Sequence, residues 1–140
     1  LFVYAEDGLY TLGLTAIGCR IGFFPGIRFE HDCSTFSADG AFRPIWKTYF
    51  YHRNLLLLYR RAAGIWFWPA LAIVLPKWLL RGLKQGDQKR AFYRLLFWAV
   101  RDGLTRRIGW RLEDVQAALS AAESGAARSS PSRGEGDGTA

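Results

Sequence analysis

The sequence predicts an α/β unit followed by membrane-apposed α-helices, an expectation that rests on three observations. Short apolar runs separated by Gly and Pro turns fill residues 1–43, apolar side chains at helical spacing fill residues 44–123, and a tail rich in Ser, Gly and Ala occupies residues 124–140. Half of the chain is hydrophobic and 16% is aromatic, with six Trp, a composition that favours contact with a membrane surface. Charge is also segregated: residues 1–40 carry two basic and five acidic side chains, residues 41–111 fifteen and two, and residues 112–140 two and five. The formal net charge of +7 therefore originates in the middle of the chain.

Taken in order, residues 1–4 read as a buried strand end, residues 20–24 as a second strand and residues 27–29 as a third, with Pro25-Gly26 turning between the last two. Between the first two strands, Leu9, Leu12 and Ala16 recur at helical spacing and Gly18 supplies a stop. From Pro44 onward, Ile45, Trp46, Tyr49, Phe50, Leu56 and Leu57 form a helical stripe that leaves Lys47 and Arg53 to one side.

Residues 62–76 are fifteen positions without a charge, followed by Lys77. A spanning helix needs ~20 apolar residues. The run crosses a bilayer only if Lys77 snorkels and Pro69 and Pro76 are accommodated as kinks, so interfacial or re-entrant attachment is the favoured expectation. A further helix over residues 88–108 sets Arg90, Arg94 and Arg101 opposite Phe92, Leu95, Leu96 and Ala99. A last short helix over 112–123 precedes a tail too polar to fold.

Arg and Lys interleaved with aromatic residues suit the phosphates of nucleic acid or of lipid headgroups. The apolar density of residues 65–75 points to an anionic membrane surface and away from nucleic acid. Cys19 and Cys33 are too few for a disulfide scaffold and lack the spacing of a zinc site, which predicts reduced thiols in the cytoplasm. The absence of Met and the apolar opening Leu1-Phe2-Val3-Tyr4 suggest part of a longer polypeptide.

The chemistry-bearing candidates begin with Glu6 and Asp7, adjacent carboxylates after an apolar run. At a sheet edge such a carboxylate accepts a proton from a sugar hydroxyl, an assistance worth ~10²–10⁴-fold. At a strand-to-helix junction the same pair serves as a helix N-terminal cap. His52 reads as a solvated side chain on a polar helix flank. Arg53 and Asn54 read either as contacts to an acceptor phosphate or lipid headgroup, or as caps of a neighbouring element. His31 with Cys33 is a metal pair too small to make a site, and the chain contains no DxD motif to complete it.

The run Phe2-Val3-Tyr4-Ala5-Glu6-Asp7, then Gly18-Cys19-Arg20-Ile21-Gly22-Phe23-Phe24-Pro25, then Glu30-His31 resembles the C-terminal half of the GT-A (nucleotide-diphospho-sugar transferase) domain of family 2 glycosyltransferases. Tyr49-Phe50-Tyr51-His52-Arg53-Asn54-Leu55 is similar to the Tyr-rich RN motif of rhamnosyltransferase-like and galactofuranosyltransferase-like members, and residues 101–109 look like their helical end. The acidic residue and the Arg that members carry in the helix after the ED motif are replaced here by Leu9 and Gly13.

The resemblance implies inverting transfer from a nucleotide-sugar donor to a cell-surface glycan or lipid-linked acceptor at the cytoplasmic face of the cell membrane. Asp7 would be the base with Glu6 beside it. His31 would touch a divalent metal, Mg or Mn, that is bound mainly by an upstream nucleotide-binding half. A non-catalytic membrane-associated helical module, with Glu6 and Asp7 only a cap, is the competing expectation.

Overall fold

The computed structural model describes residues 4–28, 30 and 40–128. Its helices are α1 (Glu6–Ala16), α2 (Lys47–Ala63), α3 (Phe67–Arg81), α4 (Lys89–Leu104) and α5 (Leu112–Arg128), with 3-10 turns at Gly64–Trp66 and Gly82–Gln88. No strand or sheet occurs among the described residues, which corrects the α/β expectation to an all-helical architecture.

The physical reason lies in residues 20–24 and 27–28, which are irregular and carry exposed Ile21, Phe23, Phe24 and Ile27. A lone strand has no neighbour to satisfy its amides or to bury its side chains, so strand-forming residues do not make a strand without one. The turn at Pro25-Gly26 does form, closed by a hydrogen bond from the Ile27 N–H to the Phe24 carbonyl at 3.1 Å. Residues 1–3 and Phe29, which complete the first and third expected strands, lie outside the described residues, as does the expected tail from residue 129 on; residues 124–128, expected in that tail, instead continue the last helix.

The helical expectations fare better, for reasons visible at their ends. Gly18 sits at φ 87°. Its N–H bonds to the Thr15 carbonyl at 3.1 Å, and the Cys19 N–H reaches the Leu14 carbonyl at 3.0 Å, the paired closure of a Schellman stop that needs a left-handed residue. At the start of α5 the Asp114 carboxylate accepts from the Arg111 N–H at 2.7 Å, satisfying one of the orphan donors of a helix N-terminus. Pro69 falls in the first turn of α3, where its missing N–H has no partner to lose, whereas Pro76 is interior.

Helix α2 is central and lies between two buried clusters. On one side Leu56 packs with Phe42, Phe67, Leu71, Trp78, Phe92 and Leu96. On the other, Tyr49 and Phe50 pack with Leu95, Ala99, Val115 and Leu119. The expected apolar face of α4, namely Phe92, Leu95, Leu96 and Ala99, is thus buried, while Arg90, Arg94 and Arg101 are exposed. Gly103 permits the close approach of α2 and α4, since a Cβ there would stand 2.9 Å from Leu56 Cβ and 3.3 Å from the Arg53 carbonyl oxygen.

The apolar run forms α3, which is only fifteen residues long and is bounded by turns at Gly64 (φ 51°) and Gly86 (φ 54°). The stretch 47–104 holds a window long and apolar enough to cross a membrane, but it comprises three helices broken at those glycines. Taken alone, α3 falls short of the ~20 residues of a span.

Candidate functional site

Two left-handed residues precede the carboxylates: Tyr4 (φ 69°) and Ala5 (φ 60°). This region is unfavourable for residues with a Cβ and persists only where surroundings enforce it. Asn54 Nδ2 donates to the Tyr4 carbonyl at 3.0 Å, the Tyr4 ring stands edge-on to Tyr51 at 5.5 Å, and the Leu9 N–H closes onto the Ala5 carbonyl at 3.0 Å.

Glu6 and Asp7 follow immediately, both exposed in the first turn of α1. They stand at a helix start and not at the edge of a sheet. Because the N-cap, Ala5, has no polar side chain, the carboxylates complement the exposed amides of that turn through charge alone. Their exposure leaves both oxygen pairs open to a hydroxyl arriving from solution.

Arg53 and Asn54 are placed differently from the expectation of an acceptor or headgroup contact, since both are buried. Arg53 Nε donates to Asn54 Oδ1 at 3.0 Å, and Arg53 Nη1 approaches the Tyr49 hydroxyl at 3.5 Å. Its guanidinium also lies over the Tyr49 and Phe50 rings, each centroid 5.1 Å away. Asn54 in turn holds Tyr4. That bond, to the residue two before α1, is a contact by which the pair reaches another segment.

Tyr49 and Asp102 complete the network. The Tyr49 hydroxyl donates to Asp102 Oδ2 at 2.8 Å, and Arg101 Nε donates to Asp102 Oδ1 at 2.8 Å. Burial, and then the hydrogen bond to Asp102, push the Tyr49 hydroxyl up to about 12. The sequence contains the signal for this polar core: Tyr49, Arg53 and Leu56 fall at i, i+4 and i+7, and Ala99 and Asp102 at i and i+3, so Arg53 and Asp102 lie on the apolar stripes and not beside them.

His52 also reverses its expectation of a solvated side chain. It is buried, with Nδ1–H donating to the Thr48 carbonyl at 2.7 Å and rings of Phe42, Tyr51, Trp78 and Phe92 around it. Since Nδ1 faces a carbonyl it carries the proton, and Nε2 is a bare, buried acceptor without a hydrogen-bond partner among the described residues. Desolvation lowers its pKa to about 4, so the ring is neutral at physiological pH.

His31 and Cys33 lie outside the described residues, and Cys19 is an exposed free thiol. Among the described residues no group of three His, Cys, Asp or Glu side chains is placed to hold a metal ion.

The fold and the site define a helical bundle whose buried Tyr–Arg–Asn–Asp network clamps an exposed, carboxylate-bearing helix start. No protein-family model, no curated protein and no solved structure matches the chain.

Proposed function

We propose that the chain is the acceptor-side part of an inverting family 2 glycosyltransferase at the cytoplasmic face of the cell membrane. It would act with an upstream half that binds the nucleotide sugar, and a cell-surface glycan or lipid-linked sugar would be the acceptor. The observation that supports this reading is convergence on α2: the segment bearing Glu6 and Asp7 is held through Tyr4 by Asn54, and the segment 101–109 is held through Asp102 by Tyr49. Three stretches that resemble one family separately in sequence are thus joined in space.

In the proposed reaction Asp7 takes the proton of the acceptor hydroxyl as its oxygen bonds to the anomeric carbon. The nucleoside diphosphate departs with the electrons of the broken bond. Glu6 stands beside Asp7 in the same exposed first turn of α1. No step is assigned to a metal.

The test is Asp7→Asn in the chain joined to its nucleotide-binding half, with transfer followed by nucleoside diphosphate release and donor binding measured separately. Transfer is expected to fall ~10²-fold or more with donor affinity preserved. Near wild-type transfer overturns the assignment.

A non-catalytic membrane-associated module is favoured by a different observation. Ile65, Trp66, Trp68 and Ile73 are 86%, 68%, 62% and 61% exposed, a surface that water solvates poorly. Both readings place this surface at an anionic bilayer, in the interface rather than across it. Membranes carrying the protein should release it on washing with high salt or alkaline carbonate, whereas retention reversed only by detergent marks a span.

A further inference from the structure

Arg60 and Arg61 follow Leu57 at i+3 and i+4, so the end of α2 presents all three on one side. Cations there complement the carbonyl end of the helix dipole, the ordinary reading of such a pair. Arg60 does more than this. Its Nη1 donates to the Leu104 carbonyl at 3.0 Å, and its guanidinium lies over the Phe67 ring, 5.7 Å from the centroid. The end of α4 is thereby tied to the end of α2, and a third arginine, Arg106, arrives beside the first two. Leu57, Arg60, Arg61 and Arg106 line a cleft of about 330 Å³.

Arg106 has an unusual backbone. It sits at φ 57°, and the Arg107 N–H closes onto the Asp102 carbonyl at 2.8 Å. The same closure ends α1, where the Cys19 N–H reaches the Leu14 carbonyl, but there the left-handed position is filled by Gly18. A residue with a Cβ is strained in that region, and glycine is the residue that relieves it. An arginine therefore stands where glycine fits better, with its side chain in a cleft shared with two further arginines. Backbone outliers of this kind gather at ligand sites.

The chemistry of the lining is specific. A guanidinium offers its N–H donors in a planar fork that matches two oxygens of a phosphate at once. Arg60 is oriented by its bond to Leu104, while Arg61 and Arg106 are exposed and are reached from solution. A single fork saturates a carboxylate, whereas forks from two helix ends suit an oxyanion with more terminal oxygens. The volume falls within the ~300–1,000 Å³ of small-molecule sites.

We propose that Arg60, Arg61 and Arg106 form a binding site for a phosphomonoester or diphosphate group. Arg61 also faces Leu12, Thr15 and Ala16 toward the end of α1, whereas Glu6 and Asp7 open that 11-residue helix. At ~1.5 Å per residue the carboxylates are about 15 Å away, so the bound group is not the diphosphate that departs in the reaction above. The site stands independently of the glycosyltransferase reading.

The experiment titrates the full chain with inorganic pyrophosphate by calorimetry at ~0.15 M salt, where exposed charges more than ~8 Å apart are largely screened. Arg61→Gln/Arg106→Gln should weaken binding by about tenfold or more, as expected for lost hydrogen bonds to a charged group. Arg90→Gln/Arg94→Gln removes the same charge from the exposed face of α4 and should stay within about twofold. Arg106→Gly separates the site from the fold: it should raise the thermal melting midpoint by relieving the left-handed strain, yet weaken pyrophosphate by about fivefold.

Phosphatidylcholine vesicles with and without phosphatidic acid distinguish the source of the phosphate. A preference for phosphatidic acid that pyrophosphate competes away and Arg61→Gln/Arg106→Gln abolishes supports the site and assigns a lipid headgroup. Vesicle binding indifferent to that substitution, with pyrophosphate binding still sensitive to it, supports the site and assigns a soluble ligand. Absence of binding to either probe, or equal loss in the two double variants, overturns the site. A lower melting midpoint in Arg106→Gly makes Arg106 part of the fold and overturns its assignment to the ligand.

Discussion

The Tyr49 hydroxyl and the Asp102 carboxylate meet at 2.8 Å across the contact between α2 and α4, both buried. Tyr49→Phe removes the donor and leaves one Asp102 oxygen and the Arg53 fork short of a partner, at a cost of about 1–3 kcal/mol in urea unfolding. The pH dependence has a definite sign. The hydroxyl is raised from 10.0 to about 12 in the folded chain, so its contribution is full below pH 10 and is lost as pH rises toward 12. Circular dichroism across that window should show a steeper alkaline loss in wild type than in Tyr49→Phe.

His52 works in the opposite direction. Its folded pKa is lowered from 6.5 to about 4, so the stability of the neutral buried ring is present above pH 6.5 and declines as pH falls toward 4. His52→Leu should flatten stability across that acid range in chemical denaturation. An equally steep slope in the variant would show that other groups carry the acid dependence.

Asn54→Ala tests the clamp on the carboxylate-bearing segment. With the bond to the Tyr4 carbonyl gone, the left-handed pair Tyr4 and Ala5 loses its side-chain hydrogen bond from α2, and amide exchange in α1 should quicken by about fivefold or more. Exchange in α4 should change much less, because its contacts with α2 do not pass through Tyr4.

Two glycines in helices should respond with opposite signs. At Gly103 an added Cβ meets Leu56 at 2.9 Å, so Gly103→Ala should destabilise by about 1–3 kcal/mol despite its better helix propensity. At Gly13 nothing lies within 4 Å, and Gly13→Ala should stabilise α1 by roughly 0.5–1 kcal/mol. Thermal melts of the two variants check both.

Much of the helical part was legible because its signal is local. Phe92, Leu95, Leu96 and Ala99 repeat with the helix, and their burial follows. Gly18 announces a left-handed stop, and the stop forms there. The apparent strand at residues 20–24 shows the limit of such signals, because β-forming residues need a neighbouring strand that the local sequence does not reveal.

The polar core was harder to read for a related reason. Arg53, His52 and Asp102 are residue types ordinarily left at the surface, and the partner that brings Asp102 inward lies 53 positions away. The approach of Asn54 to Tyr4, 50 positions apart, was equally invisible, so the segment carrying Glu6 and Asp7 was readable as a motif but not as a clamped one.

The arrangement of Tyr49, Arg53 and Asp102 has an evolutionary consequence. Replacing one member leaves a buried charge or hydroxyl uncompensated, whereas exchanging the set for apolar residues of similar volume is far better tolerated. Descendants of this sequence are therefore expected to keep the trio whole or lose it together. Exposed Glu6 and Asp7 carry no such coupled constraint from packing, so covariation among positions 49, 53 and 102 is the mark by which distant kin of this bundle should be recognised.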